Sequence, residues 1–178
     1  MMPGWKKKDS MFRLFPILIM VTVLLGSEPD ERGYIVSVGD MAPDFTMEYT
    51  TGEKVTLSEL RDKIVVLQFT ASWCSVCILE MPHLEKDVWQ AFKDKGVLLI
   101  GVDRDEPLET VINFKKKIGI TYPLALDPGA EIFGLFADKK SGVTRNVVID
   151  HSGKIVFLTR LFDEKEYKEM IQVIKKLI

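Results

Sequence analysis

Two apolar runs, KIVVLQF (Lys63–Phe69) and GVLLIGVD (Gly96–Asp103), bracket a stretch whose apolar residues recur three or four apart, and that order leaves few folds open. Each run is nearly continuous and rich in β-branched residues, the pattern of a strand covered on both faces inside a parallel sheet. Between them, from Cys74 onward, Met81, Leu84, Val88 and Phe92 line one side of a helix that Gly96 closes. Strand, helix and strand then form one right-handed βαβ unit. With 178 residues, 47% of them hydrophobic, the chain has enough apolar material for one well-buried domain.

The remaining segments extend this unit. GDMAPDFTMEYTTGEKVTLSEL reads as short strands around a turn at Thr51 and Gly52, followed by a helical turn at Leu57 to Leu60. Pro107 suits a first helical turn, Val111, Ile112 and Ile118 continue an apolar stripe, and Gly119 ends it. YPLALD and NVVIDHSGKIVFLTR read as strands, the latter two joined by a tight turn at His151, Ser152 and Gly153. Asp163 followed by Glu166 starts a last helix, with Tyr167, Met170, Ile171, Ile174 and Leu177 on its buried face. The expected fold class is α/β, a central mixed sheet flanked by helices on both faces.

Residues 1–27 stand apart. Lys6, Lys7, Lys8 and Arg13 precede the apolar run Leu14 to Leu25, and Gly26 and Ser27 follow, the order of a secretory signal. The run is short for a membrane span of roughly 20 residues and contains Pro16, which favours a signal peptide. With Leu24 or Leu25 at the minus-three place of the cleavage site, an uncleaved amino-terminal membrane anchor is the alternative. No cysteine precedes Cys74, so lipidation through a signal cysteine is excluded. Residues 28–38 follow as a linker, and 39–178 as the folded domain. Without residues 1–27 the chain keeps 20 Lys+Arg against 25 Asp+Glu, and no basic stripe for nucleic acid remains. The lysines of FKKKIG oppose the dipole at the end of their helix.

The chain has two cysteines, Cys74 and Cys77, three residues apart where a buried strand gives way to a helix. Unpaired backbone N–H groups and the positive end of the helix dipole converge there and stabilise a thiolate. In such motifs the first thiol falls from about 8.5 into the range of roughly 3.5 to 7.5, which makes it the nucleophile of thiol–disulfide exchange. Cys74 is therefore expected to attack and Cys77, one turn along, to resolve the mixed disulfide. A purely structural disulfide is disfavoured, since closing so short a loop removes little entropy from the unfolded chain. A metal centre would need two more ligands, yet the only histidines are His83, rotated off the cysteine face, and His151, in the hairpin turn. No metal and no diffusible cofactor are expected.

Residues Gly39 to Pro82 resemble the opening of the TlpA/ResA-like thiol–disulfide oxidoreductases of the thioredoxin-fold (AhpC/TSA-redoxin) superfamily, in which A-P-D-F, K-x-V-V-L, W-C-x-x-C and E-x-P recur in this order. The likeness extends through YPLALD and VVIDHSGKI to the end of the chain. It implies that Trp73 shields one side of the dithiol and offers an apolar surface to substrates. It implies also that Glu80 is partly buried and handles a proton near the thiols, where like charges disfavour joint ionisation. Pro82 matches a helix-kinking proline. The family's role implies a periplasmic protein, soluble or tethered to the inner membrane. It would reduce disulfides in exported proteins and be recharged by a membrane thiol donor of the DsbD or CcdA kind.

One position departs from the family. Where its pattern places a cis-proline opposite the dithiol, this chain has GVTRNVVID with Thr144, so the Val143–Thr144 bond is expected to be trans and the substrate-pairing loop, Val143 to Arg145, to be reshaped. The same TRNVVID resembles peroxiredoxins, in which an arginine before this strand helps to bind peroxide, a part open to Arg145. The P-x-x-x-T-x-x-C arrangement of a peroxidatic thiol is absent, and Arg145 as a surface strand residue is the plainer reading. A thioredoxin-fold binding module with a vestigial site is the alternative outside enzymes.

Overall fold

The computed structural model describes Met1 and residues 32–178, so the expected signal or anchor lies outside the described residues. The elements are β1 (Thr46–Tyr49), β2 (Lys54–Thr56), β3 (Ile64–Thr70), α1 (Ser75–Leu84), α2 (Gln90–Phe92), β4 (Val97–Arg104), α3 (Leu108–Ile118), β5 (Leu124–Asp127), α4 (Phe133–Phe136), β6 (Arg145–Ile149), β7 (Ile155–Arg160) and α5 (Glu164–Leu177). One seven-stranded sheet has the order β2-β1-β5-β4-β3-β6-β7. Its centre is parallel, with β3 and β5 flanking β4, whereas β6 and β7 on one side and β1 and β2 on the other run antiparallel. The two apolar runs are thus the two central strands, where every residue of β3 is buried.

The two faces are covered unequally. Over one lie α1, α3 and α5, whose Met81, Leu84, Val111, Phe114, Tyr167, Met170 and Ile174 pack on Ile64, Val66, Leu99 and Val148. Phe114 takes the inward place on α3 that the sequence pattern assigned to Ile112. Over the other, among the described residues, lie the four-residue α4, short helical turns at Leu57–Leu60 and Pro128–Ala130 and an amino-terminal segment. Tyr34 and Val36 of that segment fall in the stretch expected to be linker, yet both are buried, and Tyr34 bridges to Ala137. Tyr34 donates its hydroxyl to the carbonyl of Thr159, which pins the segment to the end of β7.

Helical structure runs from Ser75 to Lys95 but not as one regular helix. Pro82 lies inside α1, and a wider π-helical turn, Glu85–Trp89, follows before α2. A proline has no N–H and crowds the preceding turn, so the displaced hydrogen bonds are re-registered just beyond it. Gly96 closes the run in the left-handed conformation with φ 82°. In β4 a different constraint selects Gly101: a Cβ there would lie 2.2 Å from Leu124 and 3.3 Å from Tyr122. That close approach lets Tyr122 pass over the strand towards Gln68.

Candidate active site

The dithiol stands where β3 hands over to α1. Cys74 is the N-cap, with extended φ/ψ, and its Sγ accepts the backbone N–H of Cys77 at 3.2 Å. The two cysteines form a disulfide with Cα atoms 5.3 Å apart. Cys74 is 8% exposed and Cys77 fully buried, so a partner can reach only the first sulfur. Beside it Trp73 is 63% exposed, an apolar surface next to the accessible sulfur.

Opposite the sulfurs lies Thr144. Its Oγ1 is 3.1 Å from Cys74 Sγ and 3.3 Å from Cys77 Sγ, and since a disulfide has no proton to give, the hydroxyl is the donor. Among the described residues no peptide bond is cis, so Val143–Thr144 is trans. Val143 and Thr144 are buried, and the carbonyl of Thr144 accepts from the backbone of Leu161 and the guanidinium of Arg160. With a trans bond and a hydroxyl in place of a ring, the loop directs a side chain rather than a bare backbone edge at the sulfurs.

Arg145 is not a surface residue. It is completely buried on β6, where its guanidinium donates to the carbonyl of Arg32 and the hydroxyl of Ser141, both at 2.7 Å, and stacks over the Tyr34 ring. Strand alternation explains this placement: Arg145 follows Thr144 and so faces the side covered by the amino-terminal segment. The structure thus brings Cys74, Cys77, Thr144 and Trp73 together and sends Arg145 into a different set of contacts.

Glu80, one turn beyond Cys77, is sealed from solvent. Its carboxylate accepts from Asn146 Nδ2 at 2.6 Å and from Gln68 Nε2 at 3.4 Å. Asn146 also donates to Thr159 Oγ1, and Tyr122 donates its hydroxyl to Gln68 Oε1 at 2.7 Å. Burial pushes the Glu80 carboxyl up to about 7, although the two amide donors pull it back. It therefore changes charge near neutral pH.

Sequence reasoning found Glu80 only through resemblance and missed Gln68, Tyr122, Asn146 and Thr159, which hold it. A signal was present: Gln68 interrupts an apolar run, and Asn146 heads another. A polar side chain in a strand covered on both faces must find a partner there. The same reasoning points to Asp103 at the end of β4, which is also completely buried. His83 and His151 are exposed, as read from the sequence, and among the described residues no group of three or more potential ligands could hold a metal ion.

This combination of mixed sheet, helix and dithiol defines a thioredoxin-fold thiol–disulfide oxidoreductase. Residues 38–158 match the AhpC/TSA family, and the chain belongs to that family. The thiol-disulfide oxidoreductase ResA of Bacillus thuringiensis is 30% identical over 177 residues, covering 97% of this chain and 98% of its own. Among solved structures, that of a candidate protein disulfide isomerase from Bacteroides thetaiotaomicron is 57% identical. It superposes with a TM-score of 0.79 and covers 82% of this chain and 92% of its own. A candidate thiol:disulfide interchange protein DsbE from Chlorobium tepidum is 27% identical with a TM-score of 0.69, over 80% of this chain and 98% of its own.

Proposed function

We propose that this oxidoreductase works outside the cytoplasm as a reductant of disulfides in exported proteins. The thiolate of Cys74 attacks one sulfur of the partner's disulfide; that bond breaks, and the other partner sulfur leaves as a thiolate. Cys77 then attacks Cys74 Sγ, the mixed disulfide breaks, and the second partner thiolate is released. Two electrons pass to the partner, and the Cys74–Cys77 disulfide remains until a membrane thiol donor of the DsbD or CcdA kind reverses the sequence. The basic and apolar order of residues 1–25 supports export, as a cleaved signal or a tether. Among the described residues no helix is long and apolar enough to cross a membrane.

The observation that carries the direction is the sign of charge around the dithiol. The charged side chains placed around it, Glu80 on α1 and Glu106 against the loop at Ser72, are acidic, and among the described residues neither sulfur has a basic side chain as a hydrogen-bond partner. Negative surroundings disfavour a thiolate and so favour the disulfide, which makes the reduced pair a good electron donor. Thr144 works in the opposite sense: its hydroxyl and the Cys77 amide are the two donors available to Cys74, so Thr144→Val should raise the pH at which Cys74 alkylates.

The deciding measurement is the midpoint potential of the pair, followed by tryptophan fluorescence against glutathione or dithiothreitol. A value below about −220 mV fits a reductant fed by an upstream donor; one above about −150 mV would make the protein an oxidant of exported thiols and refute the direction.

A further inference from the structure

A second carboxyl group is buried beside the active-site loop with nothing to hold its charge. Asp103 pairs with Thr70 in the parallel register of β3 and β4, next to the strand end from which the loop to Cys74 departs. It is completely buried, and neither of its carboxylate oxygens has a hydrogen-bond donor among the described residues. Two residues later the chain doubles back: Asp105 takes the left-handed conformation, φ 63°, and Glu106 is turned onto the loop. There Glu106 Oε2 accepts the backbone N–H of Ser72 at 2.5 Å and Oε1 its hydroxyl at 2.6 Å. Ser72 immediately precedes Trp73 and Cys74.

The charges facing Asp103 are negative. Glu106 lies within hydrogen-bonding reach of it, and Asp127 acts from the end of β5, where its oxygens accept the amides of Ile132 and Phe133. The guanidinium of Arg104 turns away, to the carbonyls of Ser141 and Lys139 and over the Phe133 ring. On the helices covering this face, α1 carries Glu80, held by Asn146 and Gln68, and α3 carries Lys117, which shares a groove with Ser72. Two acceptor-only groups side by side in a dry site repel, whereas a proton between them turns the contact into a short charge-assisted hydrogen bond.

We propose that Asp103 is a positioning residue that acts as a neutral acid: it donates its proton to Glu106, and the chain Asp103–Glu106–Ser72 clamps the loop that presents Trp73 and Cys74. Burial first, then the charge of Glu106 and Asp127, pushes Asp103 up to about 8, so the clamp is closed at neutral pH and opens in alkali. On deprotonation the two carboxylates repel, Glu106 loses its fixed aim, and the Ser72 tether slackens. The consequence for exchange rests on the proposed dithiol chemistry; the clamp itself does not.

The disulfide form allows a clean test because no thiol titrates in it. The Ser72 amide resonance of the oxidised full-length protein, followed by NMR from pH 5 to 10, should shift with an inflection near 8. Asp103→Asn should abolish that inflection, since its amide donates to Glu106 at every pH. Glu106→Gln should move any titration of Asp103 to lower pH, because one neighbouring charge is gone. A Ser72 amide that stays flat, or an inflection that survives Asp103→Asn and vanishes in Glu80→Gln, would overturn the clamp. In the reduced protein, alkylation of Cys74 against pH should show a second inflection that Asp103→Asn removes. If Ser72 responds to Asp103 while that profile does not, the loop does not transmit to the thiol and the positioning role is refuted, whatever the midpoint potential says about direction.

Discussion

Glu80 and Asp103 are two buried carboxyl groups, one on the helix that begins at the dithiol and one paired with Thr70 at the strand end before it, and the fold treats them differently. Glu80 reaches in from a helix and meets two amide donors supplied by β3 and β6. Asp103 stands on a strand end without a donor among the described residues, and the charges that act on it are those of other carboxylates. Burial raises both, but donors restrain Glu80 to about 7 while like charges drive Asp103 to about 8. The comparison teaches that the same desolvation gives two proton-holding groups of different stiffness, one set in an amide network and one set by repulsion.

The largest effect that would break this comparison is on stability. Native Asp103 keeps its proton up to about pH 8, while in the unfolded chain it loses it near 3.8. Between those values the native state binds more protons than the unfolded state, so stability falls as pH rises. The loss is on the order of 5 kcal/mol for so wide a window. About 4 kcal/mol of it falls between pH 5 and pH 8.5, so denaturant unfolding of the disulfide form at those two pH values should show Asp103→Asn escaping that share of the decline. Equal slopes for the variant and the natural chain would mean that Asp103 is charged in the fold after all.

Glu80→Gln should show the same sign over a narrower span, from about 4.5 to about 7, worth roughly 3 kcal/mol. It separates from Asp103→Asn by acting at lower pH. In the reduced protein it should also bring Cys74 alkylation to lower pH, and an unchanged profile would remove Glu80 from the chemistry.

The smallest expected change sharpens the amide side of the comparison. Tyr122→Phe deletes the donor to Gln68 Oε1, leaves the ring packed against Gly101, and should cost about 1 kcal/mol. Its freed amide should let Glu80 titrate at a slightly different pH, read from the carboxyl carbon by NMR, with no movement of Asp103. A shift of both groups together would show that they belong to one network rather than two.

Much of this was legible in the chain. The strands KIVVLQF and GVLLIGVD, the helix between them and the cysteine pair at its start followed from periodicity and from the chemistry of thiols at helix ends. The π-helical turn after Pro82 was not, because periodicity of apolar residues does not register one extra residue in a turn. Arg145 was misplaced at the surface for a related reason: an arginine in a strand reads as exposed unless the segment that covers it is known, and that segment, around Tyr34, was taken for linker. Thr144 was visible as a departure from the family's proline, but not that its hydroxyl would touch both sulfurs.

The sequence by itself determined the local pieces: which runs are buried strands, where the helices start and stop, and which two residues exchange electrons. These depend on contacts close along the chain, so spacing records them. Only the tertiary structure decided the electrostatics. Gln68 and Asn146 lie 12 and 66 residues from Glu80, and Ser72 lies 34 from Glu106, separations that no local pattern encodes. Charge and proton affinity depend on what stands across a few ångströms of dry space, and it is the register of β3 with β4 and β6 that sets that distance.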